Sequence, residues 1–404
     1  MKKIFLGLFV VFFIWTLTGC WSGRELNQRA FVTAVAFDLA QPEKESNSGT
    51  NGSGRNEEDK TEAKQAVSAQ EKFEISLQIP KPDQVAGEEG GGGGGGGEKA
   101  FLVLSATADS FLNGVLQIQQ QLDRELFFGH VRLIMIGEDL AKEVGIERVV
   151  DFANRRFQVQ RMTRLAVAQG RAKEVLSMDP PIGQSTSAYI LNLISPSSGS
   201  SLIYISDLGK YNVYQADEGI DPVLPRVKKG KESIETGGAA IIKSGKLAGW
   251  LTPFETRVLD ILQNEYQESN YVIASPLHPE DSIVIGLVDA GSVYRIKKEG
   301  RTFAVKIEIT GSFETRELSG DYGPADLNGE DLQKRVAAKV RQEAEATIRR
   351  AQAVAADIFG IGRMIKARYP KEWQKLDWVT EFSKLPIEIT VDMKWSQTVR
   401  RLGR

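Results

Sequence analysis

Pro386-Ile387-Glu388-Ile389-Thr390-Val391-Asp392-Met393-Lys394-Trp395 alternates apolar and polar side chains along its length. Successive side chains of a strand point to opposite faces, so this stretch predicts a strand with one buried and one wet face. A cover for the buried face stands upstream. Residues 330–359 carry Leu332, Val336, Val340, Ala344 and Ile348 at four-residue spacing, opposite a face of Lys, Arg and Glu. That spacing predicts one long amphipathic helix. Its stripe is mostly Ala and Val without sustained heptads, so the helix is expected to lie across its own sheet rather than in a coiled coil.

Working outward, Phe303, Val305, Ile307 and Ile309 alternate, and Ile283–Val288 and Val293–Lys297 read as further strands. Together they define a C-terminal α+β unit over 282–404. A middle unit over 196–281 carries a predicted hairpin, Ala239–Ile242 and Leu247–Leu251, turning at Lys243-Ser244-Gly245-Lys246, and a helix from Pro253 to Leu262. Between Ile182 and Gly219, Ser and Gly become frequent, which suggests a border near 196. The N-terminal unit, 20–195, opens with Phe31–Phe37, apolar on both faces and ended by Asp38, which reads as a buried strand. Phe73, Ile75, Leu77 and Ile79 alternate with polar residues up to Pro80, as a half-buried strand would. A helical pattern over 105–122, a strand at Val131–Ile136, a helix over 143–152 and a strand at Leu165–Ala168 follow.

Helices alternating with strands imply an α/β or α+β arrangement of mixed β-sheets packed with helices. The chain has 404 residues, beyond the roughly 250–300 that one core supports, so two or three domains are expected from length, and the units above make three. Residues 41–70 are polar with almost no large apolar side chain, and 88–98 are glycine-rich. The first is predicted to be disordered and the second a flexible loop.

Composition excludes much familiar chemistry. Lys plus Arg number 51 against 53 Asp plus Glu, a net charge of −2, which leaves no basic field for nucleic acid. Two histidines (His130, His278) and one cysteine (Cys20) exclude a Cys/His zinc site, an iron–sulfur cluster and an internal disulfide. No Gly-x-Ser-x-Gly elbow is present to supply a nucleophile. The glycine run, Gly245-Lys246 and Gly360-Ile361-Gly362 all fail the phosphate-loop patterns. No catalytic residue, metal or cofactor is expected.

The N-terminus sets the compartment. Lys2 and Lys3 precede an apolar run, Ile4–Leu17, that is shorter than the ~20 residues needed to span a bilayer. It ends in Leu17-Thr18-Gly19-Cys20, the pattern of a lipoprotein signal with cleavage after residue 19. Cys20 is therefore the expected lipidation site, and two acyl chains on one thioether anchor stably.

The residues after the anchor carry a family resemblance. Gly19-Cys20-Trp21-Ser22-Gly23-Arg24-Glu25-Leu26-Asn27 resembles the opening of the Ger(x)C family of spore germination lipoproteins. The likeness continues at Val35–Asp38, where the family more often has Gly in place of Phe37, and at Gly129-His130-Val131-Arg132, where it usually has Gly-Lys. It resumes at Leu165–Gly170, Asp221–Pro225, Gly237–Leu251, Asp357–Gly362, Tyr369-Pro370 and Trp373. The resemblance implies a three-domain α+β lipoprotein, the non-catalytic C-type subunit of a nutrient germinant receptor. It would sit on the outer face of the spore inner membrane with integral-membrane A-type and B-type subunits as partners. Trp21, Arg24, Glu25, Leu26 and Asn27, close to the anchor, are the candidate partner-binding residues. A solute-binding lipoprotein of an ABC transporter shares the lipobox but has two similar lobes, whereas this chain divides into dissimilar parts. An anchored hydrolase is the remaining alternative.

Overall fold

The structure, a computed structural model, describes residues 28–41, 71–81, 100–156, 159–182, 185–195, 200–300 and 302–396. The signal segment, Cys20, residues 42–70 and the glycine run lie outside the described residues.

In chain order the first part comprises β1 (Arg29–Phe31), β2 (Ala34–Leu39), β3 (Phe73–Pro80), β4 (Phe101–Ala108), α1 (Phe111–Gln119), β5 (Glu125–Phe127), β6 (Leu133–Gly137), α2 (Glu138–Glu143), α3 (Ile146–Arg156) and β7 (Arg164–Gln169). There follow α4 (Ala172–Leu176), α5 (Thr186–Leu193), α6 (Leu208–Gln215), β8 (Val223–Lys229), β9 (Ile234–Lys243) and β10 (Lys246–Leu251). The second part holds α7 (Pro253–Gln263), β11 (Ser269–Ala274), β12 (Ser282–Glu299), β13 (Thr302–Leu318), α8 (Gly329–Ala353), α9 (Ile361–Arg368), α10 (Pro370–Trp373), α11 (Trp378–Lys384) and β14 (Ile387–Trp395).

Eight strands form one mixed sheet in the order β10-β9-β8-β7-β6-β2-β3-β4, parallel through its centre and antiparallel at both ends. Its central strands are apolar on both sides because both faces are covered. Val35, Phe37, Ile134 and Ile136 pack with Phe111, Val149 and Val150 of α1 and α3. Ala34, Ala36, Leu133 and Met135 pack on the other side with Val175 and Leu176 of α4 and Ile190 of α5.

The division drawn at 195/196 falls inside this sheet, since β8–β10 extend the strands begun by β2–β7. The Ser- and Gly-rich stretch that suggests a border instead supplies α5, α6 and a turn whose Tyr204 is fully buried. A small parallel pair, β1 with β5, stands apart.

The second sheet has the order β11-β12-β13-β14. As its sequence predicts, α8 lays Leu332, Val336, Val340, Ala344 and Ile348 onto Ile307, Ile309 and Met393. β11 and α7, which the sequence assigns to a middle unit, belong to this core too. The N-terminus of α7 is fixed by a capping box: Thr252 Oγ1 accepts from Glu255 N–H, and Glu255 accepts from Thr252 N–H at 2.8 Å.

Other boundaries differ from the sequence reading for local reasons. Residues 105–108 complete β4 in register with β3, and the helix starts only after Ser110, whose side chain caps it. Residues 283–297 form one strand rather than two, with a bulge between Leu287 and Asp289. The long helix ends at Ala353, because Ala355 adopts φ 50° and the chain turns at Asp357.

Candidate functional site at the junction of the sheets

The two sheets share a core through β8–β10. Alternate residues of these strands face opposite ways: Ala240, Ile242 and Leu224 enter the N-terminal core, while Ala239, Ile241 and Val223 meet α7 and the C-terminal core. Polar joints reinforce that overlap. Asp357 is fully buried, and its carboxylate accepts from the N–H groups of Phe359, Gly360, Ile361 and Gly362 at 2.6–3.2 Å. Burial pushes its pKa up to about 7, against the pull of those donors. Asp221 accepts from Asp357 N–H at 2.7 Å and from Lys243 at 2.9 Å, linking the start of β8, the end of β9 and the turn after α8. The glycines of Gly360-Ile361-Gly362 therefore serve packing and not phosphate binding. Gly360 takes φ 76°, and a Cβ on Gly362 would strike the Trp378 indole and press on Gly219. Arg363 with Asp217, and Lys366 with Glu218, close the rim.

A polar hollow of about 290 Å³ opens nearby, lined by Arg164, Ser206, Asp207, Lys210, Asp260, Glu265 and Gln267 among others. Lys210 Nζ bonds Glu265 at 2.5 Å and lies over the Tyr204 ring at 4.7 Å. Asp260 is buried, and that burial together with the neighbouring Glu265 charge pushes its pKa up to about 8.

Deeper still, Arg257 is 1% exposed, with its guanidinium carbon 3.4 Å from the Tyr271 ring centre. It donates to Asn270 O at 2.6 Å and to Glu343 at 2.7 Å, joining α7, β11 and α8. A second carboxylate does comparable work in the N-terminal sheet. Asp38 belongs to β2 rather than ending it, and accepts from Ala172 and Lys173 N–H at 2.8 Å each, holding the start of α4.

These groups are internal fasteners. Among the described residues no group of His, Cys, Asp and Glu is arranged to hold a metal ion. His130 stacks on Phe31 at 4.9 Å and meets the edge of Phe127, over which Arg29 lies at 4.7 Å. Gly129 is needed there, because a Cβ would come within 2.6 Å of the Phe127 ring. His278 sits on an exposed loop, 3.8 Å from Glu280. Cys20, Trp21, Arg24, Glu25, Leu26 and Asn27 all lie outside the described residues, so the structure brings none of them together. The junction carboxylates were missed as a site, although Asp221 and Asp357 both head segments that carry the family likeness.

Among the described residues no helix packs on the outer face of the C-terminal sheet. Arg316 lies across Gly286 and reaches Asn270 Oδ1 at 3.1 Å, with Glu268 and Glu314 beside it. Further along the face a hollow of about 430 Å³ is lined by Asp289, Gly291, Thr310, Ser312, Asp392 and Lys394.

Two family models match the chain: a spore germination protein N-terminal domain over residues 22–229, and a spore germination B3/GerAC-like C-terminal domain over 237–399. The putative spore germination protein YfkR of Bacillus subtilis is 23% identical over 402 residues, covering 93% of each chain. Spore germination protein KC of the same organism is 23% identical over 430 residues, covering 100% of this chain and 97% of its own. The crystal structure of the GerBC protein superposes with a TM-score of 0.57 at 16% identity, covering 81% of this chain and 94% of that one, which agrees with the α+β fold. With both halves matched in order along nearly its whole length, the chain belongs to the GerAC-like family of spore germination proteins.

Proposed function

We propose that the protein is the C-type subunit of a nutrient germinant receptor. In this reading it is a non-catalytic lipoprotein, carried by Cys20 on the outer face of the spore inner membrane and assembled with integral-membrane A-type and B-type subunits. The observation that carries the reading is the pair of family matches over 22–229 and 237–399. The interior supports it, since the buried charges described above are spent on joining elements of the fold. Among the described residues no helix is long and apolar enough to cross a membrane, and the lipobox assigns attachment to the acylated cysteine.

Geometry then limits what the partners meet first. Arg29, where β1 begins, follows Cys20 closely enough that an extended chain reaches only about 30 Å from the membrane, at roughly 3.3–3.6 Å per residue. Trp21, Arg24, Glu25, Leu26 and Asn27 follow Cys20 within seven residues of sequence, which makes them the candidate docking segment. An indole suits a membrane interface, because its ring is apolar while its N–H can stay wet.

The test is affinity purification of the tagged full-length protein from spore membranes. Wild type should bring down both integral-membrane subunits. Reversing the charges of Arg24 and Glu25 together should lower their recovery and slow germination without changing the melting temperature. Cys20→Ala should leave the precursor uncleaved and free of acyl mass. Wild-type protein recovered without either membrane subunit would refute the receptor role; normal recovery of both by the reversed variant would refute only the docking segment.

A further inference from the structure

β14 is the last strand of the C-terminal sheet, and among the described residues no strand pairs with its outer edge. Pro386 O accepts from Val305 N–H at 3.1 Å, and Ser396 N–H donates to Phe313 O at 2.8 Å. Even-numbered residues of the strand therefore turn their backbone groups toward β13. Ile387, Ile389, Val391 and Met393 turn theirs away from the sheet. One end of this row is closed, because Trp395 N–H donates to Gln333 Oε1 at 3.3 Å. What remains is a short ladder centred on Val391.

The side chains around that centre are symmetric in chemistry. On the outer face Glu388 stands three residues before Val391 and Lys394 three after it, with Thr390 and Asp392 immediately on either side. Glu388, Asp392 and Lys394 are exposed, while Val391, on the apolar face, is only half-buried. Within the chain Glu388 lies 3.8 Å from Lys306, but among the described residues neither Asp392 nor Lys394 makes an ion pair. Of the outer strands of the two larger sheets, β4 and β11 carry no charge and β10 only Lys246.

We propose that two copies of this chain associate edge to edge through β14, antiparallel, with Val391 facing its own counterpart. In that two-fold arrangement Ile389 and Met393 of opposite copies exchange backbone hydrogen bonds, as do the two Val391 residues. Glu388 falls opposite Lys394 of the second copy at a position without backbone hydrogen bonds, where facing side chains come closest. Thr390 falls opposite Asp392, so a hydroxyl can donate to a carboxylate. The apolar side places Ile389 against Met393 and covers the half-buried Val391. Neighbouring registers are penalised: centring on Thr390 sets Glu388 against Asp392, and centring on Asp392 sets that acid against itself. Charge thus protects the edge from arbitrary pairing while allowing this one. A single strand pair buries less than the roughly 1,200 Å² of a standard stable interface, so the dimer depends on local concentration.

The test uses the full chain in its membrane. Two differently tagged forms, one with Thr390→Cys and the other with Asp392→Cys, are co-expressed, mildly oxidised and resolved on a non-reducing gel. The parent chain, whose only thiol is Cys20, sets the background. The mixed pair should give a disulfide-linked dimer well above either form alone. Adding Lys394→Glu to both copies should lower it about tenfold, and adding Glu388→Lys as well should restore it. Both positions are exposed, so the fold should not suffer. Absence of the mixed dimer, equal yield from Thr390→Cys alone, or indifference to the charge reversal would each overturn the proposal.

Discussion

The eight-stranded sheet and the four-stranded sheet bury their strands differently. In β6, Leu133, Ile134, Met135 and Ile136 are all fully buried, because helices cover both faces. In β13, Phe303, Val305, Ile307 and Ile309 are buried while the residues between them face water, because only α8 and its neighbours cover that sheet. One sheet is a closed interior. The other is, among the described residues, a platform with a bare outer face and an open edge, and surfaces for partners are to be sought there and near the anchor.

The largest effect expected concerns the core beneath the platform. Arg257 is buried against Glu343, and removing one partner of a buried pair typically costs about 3–5 kcal/mol. Glu343→Ala should lower stability by about that much in denaturant titration. The paired change Arg257→Met with Glu343→Leu should recover most of the loss. A loss below about 1 kcal/mol would show that the pair is solvated and the platform core loose.

Adjacent substitutions test the contrast itself. Met135→Ala and Ile136→Ala should each cost about 2–4 kcal/mol, since neighbours in β6 face two different cores. In β13, Ile307→Ala should cost as much, whereas Lys306→Ala should stay within about 0.5 kcal/mol. Equal costs at Lys306 and Ile307 would mean that the outer face is covered.

A smaller, pH-dependent effect is expected at the junction. Asp260, facing Glu265, Lys210 and Ser201, has its folded pKa raised from 3.8 to about 8. Between those values the folded state keeps a proton that the unfolded chain has released, so this group's contribution to stability falls as pH rises. Asp260→Asn should match wild type near pH 4 and become progressively more stable than it as pH rises toward 8. A variant less stable than wild type at pH 8 would show that the carboxylate is held ionised.

The platform was legible in the sequence for the same reason that it is bare on one side. Alternation from Ile387 to Trp395 and from Phe303 to Ile309 records one wet face, and the stripe from Leu332 to Ile348 records its cover. The closed sheet was harder to read. Ser76 and Gln78 look like solvent residues but are fully buried: Gln78 accepts from Ser187 N–H at 3.0 Å and donates to Leu176 O, and Ser76 bonds Ser105 at 2.8 Å. Periodicity cannot distinguish a polar residue bonded to a covering helix from one bonded to water. The junction was illegible for a related reason, because Asp221 and Asp357 meet only through pairings remote in sequence. The binding residues expected at 21–27 lie outside the described residues, so the candidate docking segment still rests on the sequence.

What unites the two regions is that β8 and β9 send alternate side chains into both cores, with Asp221, Lys243 and Asp357 fastening the seam. Differential scanning calorimetry of the intact protein tests this directly. A single transition whose calorimetric and van't Hoff enthalpies agree is the predicted result. Two separated transitions, one shifted only by Met135→Ala and the other only by Glu343→Ala, would show that the sheets unfold independently and contradict the shared core.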